Sequence, residues 1–371
     1  MNATQAAVDL DDVEGLLAAD RDGLLRAASM AGAQVRATAA ALDEGDLDAL
    51  KSDEPPRTVI WVAGRGNAET AGTMLAATLG SSVAAPIVVA SEVPPWIGSL
   101  DVLILAGDDP GDPALVSAAA TGVRRGARVV VVAPYDGPLR DATAGRSVSL
   151  APRLWVRDDF SLARYLAAGL AVMHVVDPGQ RVDLVALADE LDAEAFRNSA
   201  GRELFTNPAK TLAERMSGRD VVLAGDSAAT LALARHGAAV LLRIAHEAVA
   251  AVGLADALVA LHGGMGGDGA GLAGPDHEKS IFHDEQIDGP LSRRVRTFVL
   301  ATDAERPVVL ARVSGLDDVD VIGAEDVPDT LGMVDAPVGA ATPAPGRPEQ
   351  QLAMLAVRLE MTAIYLRLVR G

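Results

Sequence analysis

Three carboxylates stand where an apolar run meets a turn: Asp108, Asp109 and Asp112 follow Val102–Ala106 and precede a helical pattern over 114–125. A helix N-terminus aims free amides and partial positive charge at such a turn, so the position suits an anion. The residue types oppose it, because carboxylates at short range repel a phosphate dianion by several kcal/mol. Gly111 completes this turn. A second joint is Gly64, Arg65, Gly66 and Asn67, again between an apolar run and a helical pattern. Glu69 stands where a dinucleotide fingerprint needs its third glycine, and no acidic ribose partner clearly ends the next strand, so a plain strand–helix turn outweighs nucleotide binding. A third joint carries Ser227, which either donates to an anion or caps its helix. His283, flanked by Asp284 and Glu285, has the chemistry of a general acid or base near neutral pH, or of a solvated loop histidine. A metal reading would join Asp276, His277, Glu278, His283, Asp284 and Glu285, but their spacing fits no regular ligand motif. We therefore expect no metal and no cofactor. His246 and Glu247 read as a helix-terminal charge pair, and Asp317, Asp318 and Asp320 as an acidic surface loop.

The elements that must position these residues follow from periodicity. Two amphipathic helices are predicted over 9–48, then strands over 57–63, 86–91, 101–106 and 127–133, and a fifth over 154–156. Apolar strands alternating with helices predict a parallel sheet covered on both faces. A long apolar helix over 158–176 closes the first unit, and Asp177-Pro178-Gly179 marks the boundary, giving units 1–177 and 178–371. The second unit reads as helical over 183–217, a strand over 220–224, a helix over 229–252, strands over 295–301 and 308–313, and a last helix over 350–369. Segment 254–261 fits a strand or a helix extension. Strand, glycine-containing turn and helix recur in both units, so two divergent copies of one doubly wound unit are expected. Segments 262–274, glycine-rich, and 330–348, rich in Pro, Ala and Gly, are expected to be mobile.

Composition narrows the partners. A net charge of −19 disfavours nucleic acid and anionic membranes. The absence of cysteine excludes disulfides and thiolate catalysis. Residues 1–9 carry no basic, apolar signal pattern, and no run approaches the roughly 18 apolar residues that span a bilayer, so a cytoplasmic protein is expected. Aromatics are 3% of the chain, so Ala, Val and Leu must build the core.

This arrangement resembles the bifunctional phosphoglucose/phosphomannose isomerases of the sugar isomerase (SIS) fold, and within them the actinobacterial TobH-type branch. The segment Phe282 to Gly289 is similar to the family's Asn-His-Asn-Glu-Ile-x-Gly, with Gln286 as one extra residue. The resemblance implies an α/β fold of two SIS-type doubly wound parallel-sheet units behind an N-terminal helical lead-in, a homodimer, and a ring-opening role for His283 beside Glu285. The apolar helices over 158–176 and 350–369 offer faces for that dimer. It also implies a sugar or sugar-phosphate ligand held by Gly64, Arg65, Gly66, Asn67, Asp108, Asp109, Gly111, Asp112 and Ser227. Several family groups are replaced. The hydroxyls of the phosphate loop fall on Gly107 to Asp112, the arginine before the long helix falls near Asp159, and the proton-moving glutamate falls on Arg243. Arg243 stays protonated and cannot serve as a base. Three readings result: an altered, non-catalytic member that binds a ligand or a partner enzyme; a working isomerase using Arg65, Arg124 or Arg125 with His283 and Glu285; or a structural protein whose pocket is filled.

Overall fold

The computed structural model describes residues 8–263, 265, 295–325 and 347–370. The lead-in forms three helices rather than two, α1 (Val13–Ala19), α2 (Leu24–Ala28) and α3 (Ala31–Asp43). The breaks come from local chemistry: Asp20 accepts from the Leu24 and Leu25 amides, and Gly23 takes a left-handed φ of 64°.

The first unit runs β1 (Thr58–Val62), α4 (Gly66–Leu79), β2 (Ile87–Ala90), β3 (Asp101–Ala106), α5 (Pro113–Arg125), β4 (Arg128–Val132), α6 (Gly137–Thr143), β5 (Ser147–Ser149) and α7 (Leu162–Val176). Its sheet is parallel throughout, in the order β2-β1-β3-β4-β5. The second unit runs α8 (Leu184–Arg197), α9 (Pro208–Met216), β6 (Asp220–Gly225), α10 (Ala228–Val240), β7 (Ala250–Gly253), α11 (Leu254–His262), β8 (Val295–Leu300), α12 (Arg306–Val313), β9 (Val319–Ile322) and α13 (Pro348–Arg370). Its parallel sheet has the order β7-β6-β8-β9, which repeats the first four positions of the other sheet. The duplicated doubly wound unit is thus present.

Alternation along the buried strands explains the layers. Ile60 and Val62 point to an outer core closed by Leu115, Ala119 and Leu139, whereas Val59 and Trp61 point to a central core. Leu223 and Phe298 of the second sheet reach the same central core, while Ala224 and Val299 face a smaller outer one. Helices α4, α7, α10 and α13 fill the space between, and α4 packs on α10 across the pseudo-repeat. The apolar helices expected to form a dimer interface, α7 and α13, are therefore consumed inside the protomer.

Four expectations differ in detail. The fifth strand is Ser147–Ser149, and Trp155 of the expected 154–156 strand is 86% exposed. The run 308–313 is helical, started by Pro307 in the first turn. Asp320 belongs to strand β9 rather than to a loop, and bridges Arg215 and Arg296 at 2.6 Å each. Finally, the helix expected to reach 252 stops at Val240, passes through a π turn (Leu241–Ala245) and yields β7. The stretch Ala228–Ala245 is long and apolar enough to cross a membrane, with mean hydropathy 1.3, yet 61% of it is buried within the protein.

Candidate functional site

In a doubly wound sheet, ligands bind beyond the carboxyl ends of the strands, where the winding direction switches. In the first sheet this point lies between β1 and β3. The turns leaving them, at residues 63–65 and 107–112, lie side by side: a Cβ on Gly64 would come 3.8 Å from an Asp112 carboxylate oxygen. Beyond them opens a cavity of about 340 Å³ lined by Arg65, Gly66, Asn67, Asp108, Asp158, Asp159, Ser161, Tyr165 and Arg243. Its volume falls at the low end of small-ligand pockets.

The three aspartates of the β3 turn divide their roles. Asp112 is the N-cap of α5 and accepts from the Ala114 amide at 2.8 Å. Asp109 folds back on the Gly111 amide at 2.7 Å. Both amides belong to the concave backbone that an incoming anion would use. The chain's own carboxylates take the place of an anion there. Asp108 alone of the three lines the cavity.

The opposite wall is built from residues 158–161. Asn67, at the start of α4, is buried, and its amide nitrogen donates to the Asp158 carbonyl at 2.7 Å, the Asp159 carbonyl at 3.1 Å and the Ser161 hydroxyl at 3.2 Å. Asn67 therefore shapes the wall, and its donors are spent on it. Gly66, with φ of 66°, supplies the left-handed step that swings α4 into this position. Burial, then the neighbouring Asp108 charge, pushes the Asp158 carboxyl above its ordinary range. Tyr165 is buried against the cavity, and desolvation pushes its phenol up to about 12, so it stays a neutral hydroxyl.

Among the described residues, the second unit contributes one side chain. Arg243 sits in the π turn at the end of α10, which closes at His246 with a left-handed φ of 57°. Its Nε lies 3.3 Å from an Asp159 oxygen, while Arg157 reaches the other oxygen at 3.2 Å. Such π turns and non-glycine left-handed residues are uncommon and concentrate at functional positions. Glu247 pairs with Arg370, not with His246.

Of the sequence-derived candidates, Arg65, Gly66, Asn67 and Asp108 come together at the cavity, with Gly64, Asp109, Gly111 and Asp112 in the adjoining turns. Ser227 stands apart. It caps α10 in a reciprocal pair with Thr230, and Thr230 in turn approaches Glu305, which holds the start of the next turn through Thr302. Among the described residues, side chains thus link the two turns at the corresponding switch point of the second sheet. Arg124 and Arg125 lie in the last turn of α5, the far end of the helix from the cavity, about 17 Å away by helical rise. His283, Glu285, the other members of the metal reading, most of 262–274 and most of 330–348 lie outside the described residues. Nothing in the sequence singles out Asp158, Ser161 or Tyr165, and the pairing of Asp159 with Arg243 joins two positions far apart in the chain. A polar Asp-Asp-Phe-Ser step before an apolar helix was the only available signal.

Three solved structures that share this architecture carry names of enzymes of phosphorylated sugars or proteins like them. Tagatose-6-phosphate ketose/aldose isomerase from Escherichia coli superposes with a TM-score of 0.60 at 15% identity, covering 99% of this chain and 96% of that one. The C-terminal domain of glucosamine-fructose-6-phosphate aminotransferase from Francisella tularensis gives 0.58 at 11% identity, covering 96% of each chain. A glucose-6-phosphate isomerase like protein from Thermus thermophilus gives 0.52 at 19% identity, covering 98% and 94%. No family model and no curated protein matches the sequence. At these identities the likeness establishes the fold: two SIS-type units.

Proposed function

We propose that this SIS-fold protein binds a neutral, polyhydroxylated ligand of monosaccharide size at the first switch point, and that it does not interconvert phosphorylated aldoses and ketoses. The observation that carries the reading is the capture of the Gly111 and Ala114 amides by Asp109 and Asp112. An anion arriving there must displace two carboxylates and remain beside them. The position that the isomerase resemblance assigns to a proton-moving glutamate carries Arg243, which is paired with Asp159 and stays charged. What remains in the cavity suits hydroxyls: Asp108 and Asp158 accept, Arg65 donates, and Tyr165 adds a hydroxyl, while the Ser161 hydroxyl is held by the Asp158 carbonyl and Asn67. With an open cavity, the reading of a filled pocket loses support. The homodimer stays part of the proposal, now with Val259, Val308 and Leu310 of α11 and α12 as the exposed apolar residues available to it, at 75%, 58% and 45% exposure. Light scattering at micromolar concentration tests it, a monomer being the adverse result.

The ligand reading is tested by thermal shift and calorimetry against neutral hexoses and pentoses, their phosphate esters, and inorganic phosphate. We expect a neutral sugar to stabilise the protein and phosphate to leave it unmoved. A phosphorylated sugar binding more tightly than its neutral parent would reverse the reading.

A further inference from the structure

A second cavity, of about 540 Å³, opens where the segment entering α1, the end of α9 and the last turn of α13 converge. It shares no lining residue with the cavity at the first switch point and lies within the range of small-ligand pockets. Its wall is mainly apolar, with Leu10, Leu204, Phe205, Leu366 and Val369 lining it. Phe205 is 77% exposed, on a turn that is firmly held. It belongs to the single helical turn Leu204–Thr206, where the Leu204 amide donates to Asp11 Oδ1 at 2.7 Å and Thr211 Oγ1 donates to the Leu204 carbonyl at 2.8 Å. Behind this turn the fully buried Lys210 donates its ammonium to the Ala200 and Arg202 carbonyls at 2.9 and 2.7 Å. An aromatic ring kept in solvent beside a cavity contributes little burial to the fold, and its π face is left for recognition.

The charges at this cavity are one-sided. Asp9, Asp11 and Glu214 line it, and among the described residues Arg370 is the one cation that does. Arg370 is already engaged by Glu247, which is not part of the lining. Among the described residues Glu214 makes no hydrogen bond or ion pair, and Asp11 accepts through Oδ1 alone, leaving its other oxygen free. Arg202, two residues before the turn, lies over the Phe196 ring and not over Phe205. Carboxylates without a counter-ion, a free aromatic face and an apolar wall together suit an organic cation.

We propose that this cavity binds a small organic ammonium ion bearing an aromatic or aliphatic group. The ammonium lies toward the Asp9, Asp11 and Glu214 carboxylates and the π face of Phe205, and the hydrocarbon part covers Leu10, Leu366 and Val369. Charge selects the ligand, because a neutral isostere keeps only the apolar contact and an anion meets three carboxylates. The site is separate from the sugar cavity and does not depend on the reading given for it.

Calorimetry and methyl-detected NMR on the full chain test it, with phenethylammonium as the probe and phenethyl alcohol and phenylacetate as its neutral and anionic counterparts. The ammonium ion should bind in the millimolar range or tighter, move the methyl resonances of Leu10, Leu204, Leu366 and Val369, and weaken as salt rises. The alcohol should bind about tenfold more weakly, and phenylacetate should not bind. Asp9→Asn with Glu214→Gln should weaken the ammonium ion about tenfold, and Phe205→Leu, which keeps an apolar side chain but removes the ring, about threefold. All three side chains are exposed, so these variants should keep the fold. Absence of binding, equal binding of alcohol and ammonium ion, or an ammonium affinity that either variant leaves unmoved overturns the proposal. Shifts at Ala68, which lines the switch-point cavity, in place of those four methyl sets would move the cation to that cavity and overturn it equally. The sugar panel reads the other cavity, so the two results stand or fall separately.

Discussion

Replacing the two carboxylates that occupy the backbone amides should open the β3 turn to anions. Asp109→Ser with Asp112→Thr is the appropriate pair, since threonine retains the ability to cap α5 and serine keeps the turn polar. At ~5 Å in a water-like dielectric, a carboxylate repels a phosphate dianion by about 1.7 kcal/mol, so two contribute about 3 kcal/mol. That corresponds to about a hundredfold in affinity. Asp109 is exposed and Asp112 partly so, and physiological salt screens such charges to about 8 Å, leaving a gain of about thirtyfold. Calorimetry with inorganic phosphate and with fructose 6-phosphate, at fixed pH and two salt concentrations, reads this directly. The gain should shrink as salt rises, and on the proposed reading no isomerisation should appear, because Arg243 stands where the isomerase resemblance would put the base. An unchanged phosphate affinity in a folded double variant would refute the idea that these carboxylates block the site.

Other consequences concern the framework. Arg358→Met should cost about 3–5 kcal/mol by leaving the buried Glu194, 2.7 Å from the arginine Nε, with Arg197 as its one cation beside the Asn198 amide, and thermal denaturation reads it. Burial works against the Glu194 charge, but Arg358 and Arg197 outweigh it and hold its carboxyl below the ordinary value of 4.5. Its stabilisation is therefore present above that value and lost as pH falls through the lowered one, so the variant should show a shallower acid limb below the ordinary carboxylate range. Ser227→Ala should lower stability by about 1 kcal/mol through loss of the α10 cap while leaving ligand affinity unchanged; a large affinity loss would mean that Ser227 faces ligand after all. Asn67→Ala should cost about 1–3 kcal/mol and loosen the 158–161 wall, weakening any ligand seen in the thermal-shift panel, and an unaffected affinity would show that this wall does not shape the site.

Much of the fold was legible because it rests on strong local signals. β1, β3 and β4 are continuous apolar runs, and continuous burial on both faces is what a covered parallel sheet demands. The illegible elements carry weak ones. Ser147–Ser149 and Ala250–Gly253 are held by sheet pairing with β4 and β6, not by their own hydrophobicity. Val308 and Val309 mimic a strand, yet Pro307 and the Glu305 carbonyl start a helix there. At the site, the sequence located the β1 and β3 turns but left the aspartates ambiguous between repelling a ligand and capping a helix. Only geometry separates Asp109 and Asp112, which fold back and cap, from Asp108, which faces the cavity. Asp159 and Arg243 each stood out as substitutions against the isomerase pattern. That they neutralise one another follows from how the π turn meets the 158–161 wall.

The most direct test of the central claim is exchange of the C2 proton of glucose 6-phosphate and mannose 6-phosphate with deuterated solvent, followed by NMR with purified wild-type protein. Enediol chemistry requires a base that removes that proton, and exchange reports it even when net conversion is slow. The account predicts no protein-dependent exchange in either sugar phosphate, together with measurable binding of a neutral sugar by the same preparation. Rapid exchange that disappears in His283→Ala would contradict it, showing that this cavity belongs to a working isomerase with a rearranged set of catalytic groups.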